Sequence, residues 1–72
     1  MTQLNISRNH ADMLAHLSLL NDRIKYGRET QDDRKDREKI IARLPEELQT
    51  HAPLTMDWKQ TNRWIQRQNI TT

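Results

Sequence analysis

The sequence predicts an all-α protein, a small bundle of three to four helices made of a helical hairpin, a short helix after Pro45 and a C-terminal helix. Apolar residues recur at helical spacing, candidate helix caps precede these segments, and strand-like alternation is confined to residues 4–6. The 72 residues suit one small domain. In this interpretation, residues 1–6 and 70–72 are the segments able to fray.

Helix 1 is predicted between Ser7, a suitable N-cap, and Gly27, which suits the left-handed position after a helix end. Its main apolar face spans about 60° around the helix. That face consists of Met13, Leu17, Leu20 and Ile24. A second apolar spot, which we take as the candidate partner-binding surface, lies nearly opposite and consists of Ala15, Leu19 and Tyr26. Scattered surface Leu and Tyr residues also occur without any function, so both interpretations stay open.

Helix 2 is predicted to run from the N-cap Thr30 to Arg43 or Leu44. Its first turns, "DDRKDREK" at 32–39, contain no apolar residue and are expected to bury nothing. They would face solvent or a charged partner. Two ion pairs at i,i+4 spacing are expected there, Asp33 with Arg37 and Arg34 with Glu38.

Pro45 breaks helix 2, because it lacks the backbone N–H that would continue the helix, and it suits the start of a short third helix. The final helix is predicted to be capped by Thr55 and to end near Gln68 or Asn69. The predicted core collects the inward-facing residues of all these segments: Met13, Leu17, Leu20, Ile24, Ile40, Ile41, Leu44, Leu48, Leu54, Trp58 and Ile65.

The C-terminal helix carries the strongest functional pattern, in "MDWKQTNRWIQRQNITT". If Trp58 and Ile65 face the core, three cations form a row at i, i+4 and i+8, with Gln60 and Trp64 at its border. Cations hold phosphates, amides bond to base edges, and an exposed Trp stacks on a base or sugar. The candidate nucleic-acid-binding residues are therefore Lys59, Gln60, Arg63, Trp64 and Arg67.

The distribution of charge agrees with this interpretation. Residues 51–72 carry three cations and one acid, whereas residues 27–50 carry six cations and seven acids. Domains that bind duplex DNA commonly make about six to ten phosphate contacts, so a homodimer would be needed to approach that number.

Three other interpretations of this helix remain open. Trp64 could pack beneath residues 45–53 with an arginine stacked on it, or the helix could bind a protein partner. A membrane-surface helix is the third, although the many Gln and Asn residues make the helix too polar for it.

The segment "TNRWIQRQNI" resembles the recognition helix of helix-turn-helix and excisionase-type proteins through Thr61, Arg63, Trp64, Ile65 and Ile70, in that order. The resemblance implies that the Trp64–Ile65 pair faces the core and the preceding polar residues face the DNA groove. The roles of Trp58 and Trp64 would then be reversed. Separately, a strand at residues 4–6 followed by two helices resembles the ribbon-helix-helix regulators, in which two such strands pair across a dimer.

No pattern for catalysis or metal binding is present. The chain has no Cys and a single Gly, and His10 and His16 are six residues apart and do not share a helix face. We therefore expect no enzyme activity, cofactor or metal. No apolar run is long enough for a membrane span, and we expect a cytoplasmic protein that does not bind membranes.

The predicted function is that of a small regulatory protein that binds DNA or RNA through its C-terminal helix. The alternative is a protein-binding inhibitor or adaptor that docks on a larger complex through helix 1 and the charged start of helix 2.

Overall fold

A computed structural model describes residues 3–71 of the protein. In chain order the elements are β1 (Asn5–Ser7), α1 (Arg8–Lys25), α2 (Gln31–Arg43), α3 (Glu46–His51), α4 (Trp58–Gln66) and β2 (Asn69–Thr71). The predicted small helical bundle is confirmed, with the addition of a sheet of two very short strands. Residues 1, 2 and 72, which belong to the segments expected to fray, lie outside the described residues.

Helix α1 begins and ends as predicted. The hydroxyl of Ser7 accepts a hydrogen bond from the backbone N–H of His10 at 3.2 Å. At the other end Gly27 takes a positive φ of 69°, and its N–H donates to the carbonyl of Ile24. The N–H of Arg28 donates back to Arg23, which completes the six-residue closing pattern that favours glycine.

Helix α2 also begins as predicted, at Thr30, and ends at Arg43. Thr30 and Asp33 form a capping box, in which each side chain accepts from the other residue's backbone N–H. The prediction that this charged start buries nothing is wrong, because Asp33 is only 5% exposed. Its carboxylate also accepts from Arg23 of α1 at 3.0 Å.

The prediction of two ion pairs along α2, Asp33 with Arg37 and Arg34 with Glu38, is wrong. Asp33 pairs with Arg23, and Arg34 makes two hydrogen bonds to Glu29, at 2.7 and 2.8 Å. Arg37 donates to Asn21 of α1 at 2.9 Å and to the carbonyl of Leu54 at 3.1 Å. Arg34 thus finds its partner in the loop before α2, whereas Arg37 finds its partners in α1 and in the segment before α4.

The two strands lie side by side and run parallel, with Asn5 opposite Asn69, Ile6 opposite Ile70 and Ser7 opposite Thr71. Residues 5–7 and 70–71, which overlap the segments expected to fray, are thus held within one chain. The ribbon-helix-helix resemblance implied pairing between two chains, and the strand here instead finds its partner in its own C-terminus.

The core forms where α1 packs against both α2 and α4. Its buried residues are Ile6, Ala11, Leu14, Leu17, Leu44, Leu48 and Ala52, and the partly buried residues around them are Leu4, Met13, Ile40, Ile41, Leu54, Trp64, Ile65 and Ile70. Most of the predicted core is confirmed. Leu20 is also buried, and Ile24 is half-buried outside this cluster. The assignment of Trp58 to the core is wrong, because this side chain is 43% exposed.

Candidate nucleic-acid interface

The start of α4 is set by Asp57, so the predicted Thr55 cap is wrong. The side chain of Asp57 accepts from the backbone N–H of Gln60 at 2.9 Å and lies 3.6 Å from the ammonium of Lys25. The Gln60 N–H, helped by Lys25, holds the pKa of Asp57 below its ordinary value. A charged carboxylate at this position also suits the positive end of the helix dipole.

The segment before α4 is hydrogen-bonded to α1. The side-chain amide of Asn21 donates to the carbonyl of Leu54 at 2.8 Å and to that of Met56 at 3.1 Å. The backbone N–H of Trp58 lies 3.4 Å from a carboxylate oxygen of Asp22. These bonds fix the rotation of α4 about its own axis, and hence which of its side chains face solvent.

The buried face of α4 is made by Thr61, Trp64 and Ile65. Thr61 is 1% exposed, and its hydroxyl lies 3.4 Å from the carbonyl of Met56. Because that hydroxyl has a local partner, the helix can bury a polar residue that hydropathy assigns to the surface. The face therefore centres on Thr61 rather than on Trp58.

The two tryptophans differ in burial. Trp64, whose exposure the sequence left open, is partly buried against the core and lines a surface cleft beside Arg67, whereas Trp58 is exposed. The prediction that Trp58 anchors the core is wrong. The resemblance to a recognition helix had implied the inward Trp64–Ile65 pair.

The predicted cations do share one exposed face. Lys59, Gln60, Arg63 and Arg67 are all exposed. With Trp58 at 0°, the three cations lie at about 100°, 140° and 180° around the helix axis. We call Lys59, Arg63 and Arg67 the α4 row. The structure thus brings four of the five predicted residues together on one exposed face, and the fifth, Trp64, lines a cleft beside Arg67 at the end of that face.

No residue of the α4 row forms an ion pair within residues 3–71. Elsewhere in that part of the chain four cations form ion pairs: Arg8 with Asp12, Arg23 with Asp33, Lys25 with Asp57 and Arg34 with Glu29. A comparable row on α2, formed by Lys35, Lys39 and Arg43, is interleaved with Asp32 and Asp36. Helix α4 contains no acid between its first and last residues, so its positive charge is not compensated locally.

The predicted partner-binding spot is also at the surface. Leu19 is 49% and Tyr26 68% exposed, and Ala15 is half-buried. The bonds from Asn21 and Asp22 bring the 56–58 segment to this half of α1. The sequence did not indicate that Met56 and Trp58 lie near this half of α1, because that proximity depends on contacts between segments distant in the chain. We call the four exposed large hydrophobic residues the apolar patch: Leu19, Tyr26, Met56 and Trp58.

Within residues 3–71, the His, Asp and Glu side chains do not gather into a group of three or more that could hold a metal ion. No helix in the described part of the chain is long and apolar enough to cross a membrane. Comparisons with protein-family models, with curated proteins and with solved structures give no match to this chain.

Proposed function

We propose that this protein is a small, non-enzymatic regulator that binds nucleic acid through the exposed face of α4. The observation that carries the proposal is the α4 row, three exposed cations on one face that have no acidic partner within residues 3–71. Three like charges at i, i+4 and i+8 repel one another, so the row gives no stability to an isolated helix. An external polyanion would relieve this repulsion.

The remaining residues of the face suit a nucleic acid. Gln60 and Gln66 are exposed, and their side-chain amides can donate to and accept from base edges. Trp58, the first residue of α4, is exposed and offers a second ring that can stack on a base or a sugar.

The orientation of the helix gives further support. Trp64 and Ile65 face the core, as the resemblance to helix-turn-helix and excisionase-type recognition helices implies. In that arrangement the polar residues before the Trp64–Ile65 pair face the nucleic acid; Arg63 is exposed accordingly, whereas Thr61 is buried and departs from the pattern.

Three cations are fewer than the six to ten or so phosphate contacts common in duplex binding. Binding to a duplex would therefore require a homodimer, which would present two α4 rows. Measurement of mass in solution, with and without nucleic acid, tests the dimer directly.

The binding proposal is tested by fluorescence anisotropy of labelled DNA and RNA, each offered single-stranded and as a duplex. The decisive variant is Lys59→Ala/Arg63→Ala/Arg67→Ala, for which we expect loss of binding at about 50 mM salt, where phosphate contacts are strongest. The matched control is Lys35→Ala/Lys39→Ala/Arg43→Ala, which removes the same charge at the same spacing from α2 and should bind normally. Equal losses in both variants, or no binding by the unaltered protein at low salt, would refute the proposal.

A second candidate function is protein binding, favoured by the apolar patch. Leu19 lies in α1, Tyr26 is the C-cap of that helix, and Met56 and Trp58 belong to the segment hydrogen-bonded to α1; exposed large apolar residues in one region are typical of interaction sites. An inhibitor or adaptor would dock there on a larger complex. Leu19→Asp and Tyr26→Ala should abolish capture of such a partner, and capture that survives both changes would exclude this surface.

A further inference from the structure

We propose that an open cleft beside Trp64 receives an unpaired base of a single-stranded nucleic acid, with preference for bases that carry an exocyclic amino group. The inference rests on the proposed function and adds the class of nucleic acid that the protein prefers. The cleft has a volume of about 760 Å³ and lies between α3, the C-terminal end of α4 with the two residues after it, and the two residues before β1. Ligand pockets commonly measure roughly 300–1,000 Å³, so a base and its sugar fit.

The cleft is continuous with the α4 row through Arg67. This residue is the C-terminal member of the row and also lines the cleft. A strand whose phosphates follow Lys59, Arg63 and Arg67 would therefore arrive at the mouth of the cleft. Its next base could turn inward while Arg67 holds the phosphate beside it.

The wall of the cleft is held in place by hydrogen bonds to the backbone. Gln68 donates to the carbonyl of Trp64 at 3.1 Å and accepts from the backbone N–H of Leu4 at 2.8 Å. Gln3 donates to the carbonyl of Arg67 at 3.0 Å. Because these bonds fix the last turn of α4 to the start of β1, Trp64 is positioned before any ligand binds, which lowers the entropy cost of binding.

Trp64 supplies a stacking surface. Its ring is partly buried against the core, so its position is set by packing, and it also lines the cleft. Stacking on an indole tolerates any base, because every base presents a π-face. Trp64 therefore accounts for the capture of a base, and selection among bases must come from the polar groups around it.

Glu47 and His51 supply those polar groups. They lie one turn apart on α3, both line the cleft, and both are exposed. Glu47 forms no ion pair within residues 3–71, so its carboxylate can accept a hydrogen bond from a ligand. A carboxylate accepts from the amino group of cytosine, whereas uracil and thymine present a carbonyl oxygen at the same position and would be repelled.

This geometry favours single strands over duplexes. A base within a duplex is covered on both faces by its neighbours, and its pairing edge is occupied. Extracting it costs unstacking and unpairing energy that a single strand does not require. The base in the cleft would thus add affinity only where the strand is already open.

The test uses a Trp58→Phe variant, in which Trp64 is the only tryptophan, and follows its fluorescence on addition of cytidine or uridine monophosphate. We expect quenching by cytidine monophosphate at lower concentration than by uridine monophosphate. Glu47→Ala should remove this difference. Glu46→Ala, its matched control, alters a neighbouring exposed carboxylate on the same helix that does not line the cleft, and should leave the difference intact.

The same preference is then measured on strands, as the anisotropy of labelled oligo(dC) and oligo(dT) and of a duplex. Trp64→Leu should weaken oligo(dC) binding by about 5- to 150-fold, the range expected for loss of one stacked base, whereas Trp64→Phe should retain most of it. Circular dichroism verifies that each variant is folded. Should Trp64→Leu not fold, the Glu47→Ala comparison carries the test alone.

The outcomes distinguish this inference from the proposed function. Suppose that strands bind through the α4 row, but nucleotides do not quench Trp64 emission and oligo(dC) binds no more tightly than oligo(dT). The cleft proposal is then overturned, and the proposed function survives. If no strand or duplex binds at low salt, the proposed function fails as well.

Discussion

Ile6 lies opposite Ile70 in the parallel pair of strands that joins the two ends of the chain. Ile6 is 1% exposed and belongs to the buried core, while Ile70 is partly buried and packs against that core. A three-residue strand has little stability of its own. Burial of the isoleucine pair therefore gives this small sheet most of its stability and holds the C-terminal end of α4 against the start of α1.

Ile6→Ala should lower the free energy of unfolding by about 2–5 kcal/mol, because it removes three buried carbons and leaves a cavity. In so small a domain, this loss is a large fraction of the total stability. Ile6→Val, which removes one methylene, should cost only about 0.5–1.5 kcal/mol. Urea denaturation measures both changes, and equal, negligible effects would show that Ile6 is not in the core.

Gly27→Ala should destabilise the protein by about 1–2 kcal/mol, the cost of placing a side chain in the left-handed conformation. Nothing lies within 4 Å of a Cβ built at this position, so the cost comes from the backbone and not from a clash. Gly27→Asn, which tolerates positive φ, should be milder. Thermal unfolding followed by circular dichroism gives the comparison, and an alanine variant as stable as wild type would contradict the φ of 69°.

Stability should fall in acid because of Asp33. The backbone N–H of Thr30, and then Arg23, hold the pKa of this carboxyl below its ordinary value of 3.8. The folded state thus binds the proton more weakly than the unfolded state. The resulting stabilisation is complete above pH 3.8 and is lost as the pH falls through the lower pKa of the folded protein.

Asp33→Asn should therefore lower the free energy of unfolding at neutral pH. The difference from the unaltered protein should shrink as the pH is lowered into the acid range, because Asp33 itself then becomes protonated. Urea denaturation at a series of pH values measures this difference. Asp32→Asn is the control, since this neighbour is exposed and forms no ion pair within residues 3–71. If both variants followed the same pH profile, the lowered pKa of Asp33, and with it the contacts to Thr30 and Arg23, would be contradicted.

The two tryptophans should differ in fluorescence. Trp58 is 43% exposed, whereas Trp64 packs against the core. In Trp64→Phe, where Trp58 is the only tryptophan, we expect red-shifted emission and strong quenching by acrylamide. In Trp58→Phe, emission should be blue-shifted and less easily quenched. The opposite result would restore the assignment predicted from the sequence.

The α4 row should account for a defined part of the salt dependence of binding. Each phosphate contact contributes about −0.9 to the slope of log K against log salt for duplex DNA, and about −0.7 for single strands. Removing all three cations should therefore make the slope shallower by roughly 2–3 for each bound chain. An unchanged slope would mean that other cations contact the phosphates.

The sequence by itself determined the helices and most of their ends. Ser7, Gly27, Thr30 and Pro45 act through bonds and backbone preferences within a few residues, so their effects can be predicted without the fold. That the three cations of the α4 row share one face follows in the same way from helical spacing, because the spacing i, i+4 and i+8 holds whichever way the helix is rotated.

Only the tertiary structure decided which face of α4 is buried. That rotation is set by Asn21 and Asp22, which lie more than thirty residues away in the chain, and by the burial of Thr61, which polarity alone assigns to the surface. The strand pairing of Ile6 with Ile70 likewise joins residues distant in sequence, and the ion pair of Asp33 with Arg23 depends on the packing of α2 against α1. Local chemistry fixes where helices begin and end, whereas the orientation of side chains depends on which segments pack together.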